Sequence, residues 1–418
     1  MLLNAIWVGF FLVGFAVALV KMLQGDLGIF NKLMSGLFDA SKTGFDISLG
    51  LVGVMSLWLG IMRIGEKAGL IEQFAKLLAP FFSRIFPEVP KGHPAAGSMV
   101  MNMSANMLGL DNAATPLGLK AMKELQSLNP KADQASNAMI MFLVLNTAGI
   151  TLIPTSVIAI RQTMAIEQGL KGFNGADIFL PALMGTFVSF SAGLIAVAWV
   201  QRIRLTSLPI LSFFGLFGAF IAALYFSLQG LEAQQLNQRM GVIGSVIIMS
   251  VICLFMLSAV MRRVNVYESF IEGAKEGFSV AVQIIPYLIA MLVAISVFRN
   301  SGCMDYIVEA IGSVVRGLGW DDRFVAALPV GLMKILSGSG ARGLMVDVMK
   351  TYGVDSFEGQ LAAIIQGSTE TTFYVLAVYF GSVNIRKTRH AVACALWADL
   401  VGLIAAILIA YAFFGRSL

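Results

Sequence analysis

Apolar runs, each close to the length that spans a bilayer, fill most of this chain and constrain what it can fold into. They lie near residues 6–20, 49–62, 137–160, 180–200, 208–226, 242–260, 283–298, 361–380 and 391–414. A helix needs about 20 such residues to cross hydrocarbon. Only 13% of the 418 residues are charged, about half the share of a soluble domain. The chain therefore reads as an α-helical integral membrane protein. No segments of about ten residues alternate in the way barrel strands must. The first run has no basic start and no small-residue cleavage site, and Lys21 follows it, so it reads as a membrane helix and not a secretory signal.

The chain also repeats itself. Asp39, Lys42, Gly44, Phe45, Gly69 and Glu72 match Glu272, Lys275, Gly277, Phe278, Gly302 and Asp305 at one constant spacing. DNAATPLGL (111–119) then falls opposite LSGSGARGL (336–344), NTAGIT (146–151) opposite QGSTET (366–371), and GLIA at Gly193 opposite GLIA at Gly402. Paired interruptions in two halves of a hydrophobic chain point to a central site of the kind transporters build. Broken backbone at membrane depth survives only where it is buried in protein or lines a cavity.

Each repeat has the same order of parts. An amphipathic stretch (31–43, 267–276) precedes a spanning helix (45–62, 278–298). A second amphipathic stretch (71–86, 304–318) is expected to lie in the interface. Two short apolar runs follow around a small-residue turn (95–122, 325–349), then a polar-interrupted helix and a closing helix. The short runs cannot span singly, and Pro116 and Gly118 discourage one long helix, so a re-entrant hairpin is expected in each repeat. With three crossings per repeat and two linking helices, the second repeat is expected upside down relative to the first. The expected architecture is all-α, with two inverted-topology repeats, about nine transmembrane helices, two re-entrant hairpins and interfacial amphipathic helices. The expected units are 1–204 (first repeat with an extra N-terminal helix), 205–264 (two linking helices) and 265–418 (second repeat).

Net charge is +5, and the basic residues are scattered without interleaved aromatics, so no nucleic-acid partner is expected. The face holding Lys67, Lys76, Arg84, Lys91, Arg202, Arg204, Arg262, Arg263, Arg386, Lys387 and Arg389 carries more of them than the other, which makes it the expected cytoplasmic face. The cysteines at 253, 303 and 394 and the histidines at 93 and 390 show no metal-ligand spacing, so no metal and no cofactor is expected.

The residues that offer chemistry are polar groups inside apolar sequence. Gln366, Ser368, Thr369 and Glu370 lie in the densest such cluster, and Asn146 and Thr147 form its counterpart. Leaving such groups buried and unpaired costs about 1–3 kcal/mol each. They either contact a solute or lock helices together. In the first hairpin Asn102 and Asn106 share one helical face, Asp111 is a further polar residue, and Asn112 with Thr115 and Pro116 reads as a helix start, a site for an anionic or electron-rich group. The second hairpin offers Ser337, Ser339, Arg342 and Asp347, with glycines that let backbones approach. Arg342 with Glu370 is a conceivable ion pair, structural or ligand-clamping. Asp399 and Lys334 are further buried-charge candidates or ordinary helix-end residues. Candidates for ion coupling are Asp111, Arg342, Asp347 and Glu370. No phosphate loop, no HExxH and no nucleophile–base pair is present, so no enzymatic activity is expected.

SANMLGLDNAATPLGLKAM (104–122) resembles spore maturation protein A, and LPVGLMKILSGSGARGLMVD with QGSTETTFYVLAVYFGSV resembles spore maturation protein B, as a fusion covering nearly the whole chain. These belong to the nucleoside recognition, or Gate, family, which is similar to the core of concentrative nucleoside transporters and to the membrane part of ferrous iron transporter B. The resemblance implies a multi-pass protein of the bacterial cytoplasmic (inner) membrane whose hairpin tips and unwound helices meet near the midplane. By that likeness Asn112, Thr115, Asn146, Thr147, Ser337, Ser339 and Gln366 to Glu370 would hold a solute. The expected function is movement of a small polar, nucleoside-like solute, with H⁺ or Na⁺ as coupling ion. The alternative is a non-transporting membrane scaffold or regulator. The lipid bilayer is the expected environment, with homo-oligomerisation through the amphipathic stretches.

Overall fold

A computed structural model describes the backbone of residues 2–108, 111–231 and 233–415, and their side chains apart from residues 2, 3, 111–113, 233, 234 and 237. Seventeen α-helices form among the described residues. The first unit runs α1 (Leu2–Leu23), α2 (Ile29–Lys67), α3 (Leu70–Ile85), α4 (Pro94–Met107), α5 (Asp111–Ser127), α6 (Asn137–Thr147), α7 (Thr155–Glu167) and α8 (Phe179–Gln201). Then come α9 (Leu208–Ser227) and α10 (Ala233–Met261). The order of α2 to α8 is repeated by α11 (Val266–Asn300), α12 (Cys303–Gly317), α13 (Leu328–Leu336), α14 (Gly338–Tyr352), α15 (Phe357–Ser368), α16 (Thr372–Ser382) and α17 (Ala391–Phe414).

The repeats are inverted, and glycine contacts show it. A Cβ at Gly44 would lie 3.1 Å from Ile289 Cα, and one at Gly277 would lie 2.7 Å from Ser56 Cα. Residues 44 and 277 occupy matching places in the repeat, as do 56 and 289, so one contact is made twice with the roles exchanged. That is what a two-fold axis demands. Gly36 packs against Ser296 and Asn300, and Gly60 against Phe270, so α2 and α11 run antiparallel. The axis therefore crosses their length and turns one repeat over. The same exchange recurs between α8 and α17, where Gly193 meets Ala398 and Gly402 meets Ser189.

Sequence pattern separates an amphipathic stretch from a spanning helix in each repeat, but the structure joins them. Ile29–Lys67 is one helix of 39 residues, and Val266–Asn300 one of 35. The change from mixed to apolar composition carries no helix breaker at the junction, and Gly44 and Gly277 serve close helix packing instead of ending a helix. At 1.5 Å per residue α2 is roughly 58 Å long, about twice the hydrocarbon thickness. Both long helices end at a glycine in the left-handed region, Gly69 (φ 66°) and Gly302 (φ 90°). Each then turns into an amphipathic helix with a carboxylate in its first turn, Glu72 or Asp305. α3 buries Leu70, Ile71, Ala75, Leu78, Phe81, Phe82 and Ile85 along one side.

Among the described residues, eight helical stretches are long and apolar enough to cross a membrane. The α6–α7 pair, of 11 and 13 residues, crosses in two pieces. Gln201 Nε2 at the end of α8 donates to Asn137 O (3.0 Å), Gly193 packs on Val144 and Ala148, and Gly175 N donates to Gln162 Oε1 (3.1 Å). The broken pair thus runs antiparallel to the whole of α8. The two hairpins are α4–α5 and α13–α14. Pro116 lies within α5, so the returning arm begins earlier than the Asn112–Pro116 pattern suggests. Each hairpin packs on the broken helix of the opposite repeat. Gly118 of α5 faces Tyr379 of α16, and Gln168 after α7 donates to Met349 O of α14 (2.8 Å).

The repeats also touch through loops on one face. Arg386 N and Lys387 N both donate to Asp133 O (2.9 Å each), and Lys387 Nζ lies 3.1 Å from the Asp133 carboxylate. The hydrogen bond from Lys387 holds the Asp133 carboxyl below its usual range.

Gly277→Val drives a side chain into Met55 O, 2.5 Å from the Cβ position. It is expected to lower stability by about 1–3 kcal/mol, read as a lower thermal midpoint of purified protein. Gly53→Ala, whose Cβ meets nothing within 4 Å, should leave the midpoint unchanged or raise it.

Candidate functional site

The two helix breaks meet. α6 ends at Thr147, whose hydroxyl folds back to Val144 O (2.8 Å). Residues 148–154 follow without helix, and Pro154, which has no N–H to donate, leads into α7. In the second repeat Ser368 ends α15, Thr369 is extended, and α16 starts at Thr372. Glu370 N donates to Thr147 O at 2.8 Å, which joins one break to the other. Leu152 N donates to Met107 O at 2.8 Å, which joins the first break to the tip of its own hairpin. Thr371 packs beside Gly338 at the second tip.

The polar side chains around this junction are largely buried. Asn106 Nδ2 donates to Asn146 Oδ1 (2.7 Å), and Asn146 Nδ2 donates to Phe142 O (2.8 Å). Asn102 Nδ2 donates to Ala114 O (2.8 Å) and to Tyr379 Oη (3.3 Å). Ser337 caps α14 by accepting from Gly340 N (3.1 Å), and its hydroxyl lies 3.2 Å from that of Ser339. Ser368 donates to Ile364 O. Thr115, Thr369 and Glu370 are half-buried. Asn102 Oδ1, Ser104 Oγ and Gln366 Oε1 are buried without a protein partner. The side chains of Asp111 and Asn112 fall outside the described residues.

A crevice of about 620 Å³ opens beside this junction. Its long walls are α2 (Met55, Leu59, Met62, Arg63, Glu66) and α11 (Glu276, Val280, Ile284). Pro116 and Leu117 of the first hairpin, Arg342 of the second, and Thr155 and Ser156 at the start of α7 close it. It reaches from Glu66 and Glu72, at the end of the molecule that holds Lys67, inward to Met55 and Ile284. Arg63 donates to Glu66 (2.7 Å) and to Glu272 (2.5 Å), and Lys67 also donates to Glu272. A second crevice of about 320 Å³ occupies the matching place at the other end, with Thr43 where the first has Glu276 and Arg299 where it has Glu66. There Arg299 Nε donates to both oxygens of Asp347 (3.1 and 2.9 Å), and Lys350 Nζ donates to Thr43 Oγ1 (2.7 Å). Those bonds tie α14 to α11 and α2.

Of the residues singled out from sequence, Asn102, Asn106, Asn146, Thr147, Gln366 and Glu370 gather at the junction, with Ser337 and Ser339 at the neighbouring hairpin tip. Arg342 faces the large crevice. Asp347 stands away from the junction, held by Arg299. From its place just after the apolar run 137–160, Arg161 would be a loop residue. It is instead fully buried and pairs with Asp177 through Nη2 (2.9 and 3.0 Å), with Nη1 donating to Val354 O (3.1 Å). The crevice charges Arg63, Glu66 and Glu276 had no signal beyond their place at the ends of apolar runs, and Glu72 only its match to Asp305.

The model of the Gate family, described as nucleoside recognition, matches residues 48–164 and 281–386, together just over half of the chain. The chain belongs to the Gate family. The two matches begin at Ser48 and Ala281, which occupy the same place in the two repeats and are both fully buried. Spore maturation protein A of Bacillus subtilis (strain 168) is 40% identical over 188 residues, 45% of this chain and 90% of that protein. Spore maturation protein B of the same organism is 45% identical over 162 residues, 39% of this chain and 89% of that protein. This Gate-family chain is thus a multi-pass membrane protein similar to both.

Asp177→Ala would leave Arg161 buried without its carboxylate. Breaking such a pair costs about 3–5 kcal/mol, so the thermal midpoint should fall sharply. Asp133→Ala, at an exposed pair, should shift it little.

Proposed function

We propose that this Gate protein carries a small polar solute of nucleoside size across a bacterial inner membrane, and that the solute sits in the 620 Å³ crevice. The observation that carries this reading is the composition of that crevice. Ligand sites are mostly apolar clefts of about 300–1,000 Å³ with a few placed polar groups. Met55, Leu59, Met62, Pro116, Val280 and Ile284 supply apolar faces for a ring. Arg342, Glu276, Thr155 and Ser156 supply donors and acceptors for its polar edge. Both hairpins and the start of α7 border the space, so a bound solute would contact every part that inverted repeats move in alternating access. The family description, nucleoside recognition, agrees with recognition of a small molecule.

The narrower counterpart at the opposite end supports the same reading. Arg299–Asp347 and Lys350–Thr43 close the second hairpin there, while the first hairpin leaves the larger crevice open. A carrier open to one side needs such a difference. H⁺ or Na⁺ is the proposed coupling ion, with Glu370 at the break as one carrier of it.

A non-transporting scaffold is the second reading. It is favoured by the junction itself, where Asn106 bonds Asn146, the Thr147 hydroxyl bonds Val144 O and Glu370 N–H bonds Thr147 O, all within the protein. A thermal-shift screen of purified protein against nucleosides, dicarboxylates and amino acids separates the two, since a ligand stabilises by binding the folded state. A specific stabiliser is expected among the nucleosides, and Met55→Trp, which fills the crevice, is expected to abolish that stabilisation while the ligand-free midpoint stays close to wild type. No stabilisation by any solute class in the wild type favours the scaffold.

A further inference from the structure

The second repeat holds a buried acid that the first repeat does without. Asp399 lies in the middle of α17, 5% exposed, and Thr372 Oγ1 donates to its Oδ2 at 2.6 Å. Its Oδ1 is buried with no protein partner. Asp399 lines a crevice of about 140 Å³ together with Lys334, Ser368 and Thr369. Lys334, itself 5% exposed, lines that crevice from α13. In the register that pairs Gly193 with Gly402, the place of Asp399 is taken in the first repeat by Phe190, which is buried and stacks among other phenylalanines. In the register of the breaks, Thr372 is matched by Leu152. The fold is therefore built once with an apolar side chain at this point, and the charge in the other copy is not a requirement of packing.

We infer that Asp399 and Lys334 form a proton-exchange site, separate from the large crevice and independent of what occupies it. An ionisable residue within a membrane span is costly and marks a functional path. The crevice that Asp399 lines, at about 140 Å³, is large enough to hold water, which needs roughly 10–15 Å³, and an opening movement of its walls would bring that water to the buried oxygen. A proton relayed from solvent hydronium through that water binds Asp399 Oδ1, while Oδ2 keeps the hydrogen bond from Thr372. Before uptake the carboxylate and the Lys334 ammonium neutralise each other. Uptake removes the negative charge from the crevice that Lys334 also lines, which weakens the hold of α13 on α17. Release of the proton to water restores the pair. One free carboxylate oxygen beside an ammonium is a poor cage for a metal cation, which takes roughly six oxygens. Among the described residues, α6, α8 and α16 contain no charge, the acid of α15 is Glu358 at its far end, and Glu370 stands in the break ahead of Thr372.

The test is infrared difference spectroscopy of the whole protein in lipid nanodiscs, stepping pH in the absence of any solute. A carbonyl band of a protonated carboxylic acid should appear as pH falls, shift on labelling with ¹³C-aspartate, and vanish in Asp399→Asn. Lys334→Met should move the pH at which the band appears, and Glu370→Gln should leave it in place. If Asp399→Asn fails to fold, the ¹³C-aspartate shift and the Lys334→Met displacement still decide. A band that survives Asp399→Asn, ignores the aspartate label, or is unmoved by Lys334→Met overturns the proposal. So does a signal that follows Na⁺ concentration at fixed pH. Because no solute is present, any of these results leaves the thermal-shift test of the solute crevice untouched.

Discussion

The structure depends on a demand of the bilayer: every backbone polar group within it needs a partner. Two of the crossings are broken, and a broken helix exposes N–H and C=O groups that have no intrahelical mate. The protein answers by setting the breaks against each other. Glu370 N–H fills the open carbonyl of Thr147, and Leu152 N–H fills that of Met107 at the hairpin tip. This holds only if the two repeats lie opposite ways up and close together. The antiparallel α2 and α11 enforce that, through glycines that let their backbones touch. Inversion, hairpins and central junction are one solution to one requirement.

The two-fold symmetry of the backbone is not kept by the side chains. At one end of the α2–α11 pair, Arg299 and Lys350 hold the second hairpin in place; at the other, Arg63 and Lys67 are engaged with Glu66 and Glu272, and the first hairpin stands off a larger space. Equivalent positions carry Glu66 and Arg299, Glu276 and Thr43, Phe190 and Asp399. Function in a duplicated fold is expected where the copies differ, since positions serving only the fold can stay alike. Gly44 and Gly277 are alike, as are Gly69 and Gly302.

Much of the architecture was legible in the sequence because membrane constraints are written in composition. Polar residues inside apolar runs at matched places located both breaks, and runs too short to span identified the hairpins. The junction residues followed from the same signal. What stayed hidden had no local signature. Arg161 and Asp177 are separated by a loop, and Arg299 and Asp347 by α12 and α13, so neither pairing is visible along the chain. The continuity of α2 was masked because its first part mixes polar with apolar residues while its second is mostly apolar. Composition changes there although the helix does not. The large crevice is walled by Met55, Leu59 and Ile284, which read as ordinary lipid-facing positions until the helices are packed.

The most direct test is the sidedness of single cysteines at matched points of the two crevices. In a background with Cys253, Cys303 and Cys394 replaced by serine, Glu276→Cys and Thr43→Cys would be labelled with a membrane-impermeant maleimide in sealed vesicles of each orientation. Inverted repeats with one crevice at each end predict labelling of Glu276→Cys from the face that holds Lys67 and of Thr43→Cys from the opposite face. Labelling of both from the same face would contradict the inverted arrangement and everything built on it.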